Sequence, residues 1–242
     1  MIIAGVDTET AGFEDDAEII EFGYYIYDTD RDCEVISGSE LFDVQSWDKN
    51  SEKIHGIPQD LTKIVGMKHE ECDIDQRILR YNPCVILAHN ALFDYPKVKR
   101  HWPALCEVPW LCTLHDLDHS KFLKEKTSKR LMFLAIQYGF PIVGWHRARG
   151  DAEYTCKIAS KHDLVEALVR KNRPRYVVVA GGRFKPNVKD DLYELGFYWN
   201  SDKSLWVREN LEEKEIPFIK ARVSELAPDW VIAQDRMEPR PY

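Results

Sequence analysis

Three short segments of the 242-residue chain carry side chains suited to holding divalent cations. Asp7-Thr8-Glu9-Thr10 supplies two carboxylates two positions apart, and on an extended chain such residues point to the same side. Neighbouring carboxylates repel unless a proton or a cation sits between them. His89-Asn90-Ala91-Leu92-Phe93-Asp94 places Asn90 to cap a helix that begins at Ala91, with Asp94 in the first turn. His146-Arg147-Ala148-Arg149-Gly150-Asp151 offers a histidine and a carboxylate that a single helix would set about 140° apart. To share a site, His146 must reach in from a loop while Asp151 begins the helix, and Gly150 eases that break. Each segment alone reads as a polar turn, a helix-terminal acid or an unrelated loop histidine. Together they offer hard oxygen ligands of the kind Mg²⁺ and Mn²⁺ prefer, and an imidazole suited to general-base work near neutral pH.

These segments must be positioned by the elements around them. Residues 2–6, 18–27 and 35–42 read as three β-rich strands of an antiparallel meander. Residues 51–81 are mostly helical, with breaks at Gly56-Ile57-Pro58 and Gly66. A fourth strand is expected over 84–88, a helix over 91–102, a fifth strand over 110–113, a helix over 130–138 and one long helix over 151–170. Three strands followed by alternating helices and strands suit a mixed α/β sheet with helices on its faces. Asn172-Arg173-Pro174-Arg175 reads as a linker. Beyond it the pattern predicts a strand over 176–180, a helix over 189–195, a hairpin over 197–207, a helix over 211–226 and an extended tail from Pro228.

Composition narrows the class. Hydrophobic residues at 44% and charged residues at 31% exclude a wholly disordered chain. No apolar run approaches the roughly 18–20 residues that span a bilayer, and the N-terminal apolar run lacks the form of a secretory signal, so no membrane partner and a cytoplasmic location are expected. The six cysteines form no Cys-x-x-Cys pair and read as reduced thiols. A net charge of −8 argues against a protein that coats nucleic acid, although a carboxylate-rich metal site contributes negative charge of its own. Basic residues gather at 121–130 and at 170–189.

The three motifs in this order resemble the DEDDh branch of the 3′–5′ exonucleases. The resemblance covers roughly residues 1–165 and includes Lys53-Ile54-His55-Gly56-Ile57, which looks like that family's His-Gly segment. It implies a ribonuclease H-like mixed five-stranded sheet flanked by helices, over a domain of residues 1–171. It implies hydrolysis with two Mg²⁺ or Mn²⁺ ions: Asp7 bridging both, Glu9 and Asp151 completing one site, Asp94 helping to hold the other. His146 would be the general base. Backbone groups around Thr8 to Thr10 and the side chain of Asn90 would contact the 3′-terminal nucleotide. Phe93 is a candidate to stack on a base and His55 to line the site. Residues 87–94 and 109–113 look most like the exodeoxyribonuclease X group, which implies DNA 3′ ends as the substrate. An exoribonuclease of the same family shares every catalytic residue, and a non-catalytic nucleic-acid-binding adaptor on this scaffold is the reading of another class.

Residues 172–242 are expected to form a small α+β module that binds nucleic acid or a protein partner. Trp199 and Trp206 read as its core. Arg173, Arg175, Arg183, Lys185 and Lys189 would form a basic platform for single strands, with protein docking as the alternative.

Overall fold

Alternation of apolar residues along β1 (Ile2–Thr10) sets the architecture. Ile3 packs on one side of the sheet and Ala4 and Val6 on the other, so this strand is buried on both faces. It pairs antiparallel with β2 (Ile19–Asp28), which pairs antiparallel with β3 (Cys33–Leu41). Three short helices follow: α1 (Lys49–His55), α2 (Gln59–Val65) and α3 (Ile74–Leu79). The chain then enters β4 (Ile86–Ala88), α4 (Ala91–His101) and β5 (Trp110–Cys112). Next come α5 (Leu131–Gln137), α6 (Ala148–Ala159) and α7 (Leu164–Lys171). The five-stranded sheet runs β3-β2-β1-β4-β5, with β4 and β5 parallel to β1. The computed structural model describes residues 1–14, 16–123, 128–142, 147–183 and 185–242.

Two apolar layers cover this sheet. Phe22, Tyr95, Val98, Trp102 and Trp110 lie in the layer that holds α4, while Leu87, Leu111, Leu134, Ala152 and Ile158 lie in the layer that holds α5 and α6. The long helix expected over 151–170 is two helices. The first closes at Ser160, whose N–H donates to the Cys156 carbonyl, and Asp163 starts the second by accepting from the Glu166 N–H at 2.9 Å. The first strand also runs further than expected, so Asp7 and Glu9 lie within it.

The chain divides into two compact units, the second comprising residues 172–240. It contains β6 (Tyr176–Gly181), α8 (Lys189–Glu194), β7 (Tyr198–Asn200), β8 (Leu205–Leu211), α9 (Ile216–Leu226) and β9 (Val231–Arg236). The order is β7-β8-β6-β9, with each neighbouring pair antiparallel. The tail from Pro228 therefore supplies a strand, and the helix expected from 211 begins at Ile216 because β8 continues to Leu211. Trp206 is core with Leu192, Phe197 and Val223, whereas Trp199 is 45% exposed and touches Trp206 edge-on, which corrects its reading as core. Arg173 and Arg175 both approach Glu212, and Lys185 pairs with Asp229, so much of the expected basic platform is matched by carboxylates within the unit. Among the described residues no helix is long and apolar enough to cross a membrane.

Candidate active site

The carboxylates converge where the C-terminal ends of β1 and β4 lie side by side, the edge at which open α/β sheets carry ligand sites. Strand alternation sorts the residues of β1. Gly5, Asp7 and Glu9 face α6, while Ala4, Val6 and Thr8 face the layer of α4. Asp151, in the first turn of α6, completes a trio: one oxygen each from Asp7, Glu9 and Asp151 lie within 4.8 Å of one another.

Glycines make this approach possible. A Cβ on Gly23 would sit 2.1 Å from the Ala148 carbonyl carbon, and one on Gly5 would sit 2.3 Å from the Ala152 oxygen. Only bare backbone at both positions lets α6 lie this close to β1 and β2. The helix therefore begins three residues before Asp151, at Ala148, with extended backbone at Arg147.

Asp94 joins from the other side of the strand. Its Oδ1 accepts from the Thr8 N–H at 3.1 Å and from Thr8 Oγ1 at 2.7 Å. Burial pushes Asp7 well above the usual carboxylate range, and the charges of Asp94, Asp151, Glu9 and Glu21 push the same way. Burial, then Asp151, Glu21 and Asp94, raise Glu9 to about 8. Burial raises Asp94 to about 7 against the opposing pull of the Thr8 bonds and Lys97. Crowded, desolvated, all-oxygen donors of this kind fit a hard divalent cation, which would relieve the repulsion that protons otherwise relieve.

The expected substrate contacts are placed unevenly. Thr8 is committed to Asp94, and Thr10 Oγ1 donates to the Gly12 carbonyl at 2.7 Å. Asn90 is exposed and left-handed, with φ of 72°, and makes no side-chain cap bond; this corrects its expected capping role. Phe93 is half-buried, with the buried ammonium of Lys97 3.8 Å from its ring centre. His55 is buried; its Nδ1 accepts from the Ile57 N–H at 3.0 Å and its Nε2 has no hydrogen-bond partner. Burial lowers its pKa. His89, beside the motif, bonds Thr113 Oγ1 through Nδ1 at 2.9 Å, and burial pushes it down to about 4. His146 lies outside the described residues.

The residues missed in the sequence are Glu21 and Arg147. Glu21 is fully buried, opposite Glu9 in the β1–β2 ladder, and binds both the Arg147 guanidinium and the Ala148 N–H. The available signal was a lone acid within the apolar run Ile19-Ile20-Glu21-Phe22.

A carboxylate trio at the edge of such a sheet, with a fourth acid on the adjoining helix, fits the ribonuclease H-like fold of nucleases. Residues 5–159 match the RNase T exonuclease family, and the chain belongs to that family. Cell-death related nuclease 4 superposes with a TM-score of 0.52 at 16% identity, covering 66% of this chain and 62% of that one. The nuclease domain of 3′hExo, a DEDDh family member bound to rAMP, gives 0.53 at 13% identity, covering 66% and 90%. Exonuclease I of E. coli in complex with a dA16 oligonucleotide gives 0.57 at 15% identity, covering 76% and 49%. The chain thus spans less than two thirds of the first and about half of the last. No curated protein matches it.

Proposed function

We propose that the chain is a metal-dependent 3′–5′ exodeoxyribonuclease that releases nucleotides from DNA 3′ ends. The observation that carries this reading is the convergence of Asp7, Glu9 and Asp151 within 4.8 Å, with Asp94 tied to the same strand through Thr8. Two Mg²⁺ or Mn²⁺ ions, when bound, supply a polarised water and hold charge on the scissile phosphate. Asp7 would contact both ions; Glu9 and Asp151 would hold one and Asp94 would help to hold the other. His146 takes the proton of the attacking water, which requires its imidazole to be neutral. Asn90 and Phe93, on the accessible rim beside Asp94, orient the terminal nucleotide, and His55 would line the site.

The resemblance of residues 87–94 and 109–113 to the exodeoxyribonuclease X group favours DNA. The test is incubation of the purified protein and Mg²⁺ or Mn²⁺ with end-labelled strands of each kind. A 5′-labelled DNA strand should shorten stepwise while a 3′ label leaves at once as mononucleotide. Faster loss of RNA would reassign the substrate, and no release from either under both metals would refute the nuclease reading.

A further inference from the structure

A cleft of about 530 Å³ opens beside Asp151. This is within the range of roughly 300–1,000 Å³ typical of small-molecule sites. Its walls include His89 and the run from Lys129 to Phe133. Lys129 and Arg130 are exposed at the approach to α5, and among the described residues neither has a carboxylate partner. Phe133 is 51% exposed, although α5 has a buried face of Leu131, Leu134 and Ala135 available to apolar side chains. His89 bonds Thr113 Oγ1 at 2.9 Å and lines the cleft together with Lys129, at the strand end that leads to Asp94.

An exonuclease substrate presents two kinds of phosphate. The leaving nucleotide has one, the scissile phosphate itself, whose charge is met at the carboxylate-held cations. A second pair of cations next to those carboxylates has work only if another phosphate arrives, and that phosphate belongs to the strand on the 5′ side of the scissile bond. An exposed aromatic beside two cations is also the pairing that single strands use, base on ring and backbone on charge.

Resting on the exonuclease reading, we propose that this cleft seats the nucleotide on the 5′ side of the scissile bond. Lys129 and Arg130 take its phosphodiester, and Phe133 offers a face to its base.

The test compares two substrates with the full-length protein. The p-nitrophenyl ester of thymidine 5′-monophosphate carries a scissile phosphate and no other; a dT12 oligonucleotide carries the upstream phosphates. For the double variant Lys129→Ala, Arg130→Ala, the ratio of kcat/KM on dT12 to that on the ester should fall at least tenfold. Binding of fluorescent dT12 in EDTA should weaken, with a log–log salt slope shallower by about 0.7, the worth of one neutralised phosphate on a single strand. Phe133→Ala should weaken that binding at least fivefold and Phe133→Trp should restore it. An equal loss on both substrates would place the leaving nucleotide in the cleft and overturn the proposal, as would unchanged binding and salt slope. Should the unaltered protein cleave neither substrate with Mn²⁺, the exonuclease reading fails by itself, and dT12 binding by the variants still decides whether the cleft holds a strand.

Discussion

Arg147 holds Glu21 through two hydrogen bonds, Nε to Oε2 at 3.0 Å and Nη2 to Oε1 at 2.8 Å, across 126 positions of sequence. Glu21 Oε2 also accepts from the Ala148 N–H at 3.1 Å. One buried carboxylate thus fixes both the residue that follows His146 and the first turn of the helix that carries Asp151. Arg147→Ala leaves that carboxylate with a single backbone donor. It should cost about 2–3 kcal/mol, the penalty of an under-satisfied buried charged acceptor, measured by urea denaturation. Because Arg147 is half exposed and can be hydrated when unpaired, Glu21→Gln should cost less. Equal, negligible losses would show that the clamp does not hold the helix start.

The antiparallel meander and the segments that carry Asp7, Glu9, Asp94 and Asp151 were legible because β-rich apolar runs and motif spacing are local properties. What positions them was not. Nothing near Gly5 or Gly23 in the sequence announces that a helix entering at Ala148 will lie against them, and the break between α6 and α7 depends on Asp163 capping a new helix after the polar run from Ser160. Asn90 was misread for the opposite reason. Asn before a helix is the commonest cap, yet here the backbone is left-handed, a conformation Asn also tolerates.

Gly23→Ala is the sharpest test of that close packing. Its Cβ would meet backbone, at 2.2 Å from the Arg149 nitrogen, and backbone cannot rotate away. The helix must shift, which should cost about 1–3 kcal/mol and carry Asp151 away from Asp7 and Glu9. Calorimetric titration with Mn²⁺ should then show weaker binding even where the variant is folded by circular dichroism.

Cation removal should reverse the pH dependence of stability. Without a cation, Glu9 holds its proton to about 8 and Asp94 to about 7, against ordinary values of 4.5 and 3.8. Between those limits the folded chain binds more protons than the unfolded one, so stability present in acid is lost as pH rises through the folded values. The Tm in EDTA should fall from pH 5 to pH 8. Added Mg²⁺ should raise it more at pH 8 than at pH 5, since ions displace the same protons. A Tm indifferent to both would mean the carboxylates are already ionised and apart.

His146→Ala should lower kcat by about 10²–10⁴-fold, the usual worth of a general base, while Mn²⁺ affinity changes far less. For the unaltered protein the rate should rise with pH through one apparent pKa, and the variant should lose that rise. Loss of metal as severe as in Asp151→Asn would make His146 a ligand instead.

Truncation after Lys171 removes Tyr242 along with the second unit. That ring lies 4.5 Å from the Lys171 ammonium and 6.2 Å from the Tyr95 ring, within the first unit. The truncated chain should fold with a Tm a few degrees lower, and Tyr242→Ala in the full chain should reproduce that part of the loss.

The trio of Asp7, Glu9 and Asp151 also shapes the order in which the first unit can form. Asp7 and Glu9 lie two positions apart on one strand, whereas Asp151 arrives only with α6, after a long closure across most of the unit. Such non-local contacts are made late and slowly. The docking of α6 therefore delivers a third negative charge to two that already repel it. A divalent cation, or a proton, acts in this chain as a folding reagent as much as a chemical one: it should lower the barrier to that docking, and refolding should be faster with Mg²⁺ or in mild acid than in EDTA at pH 8.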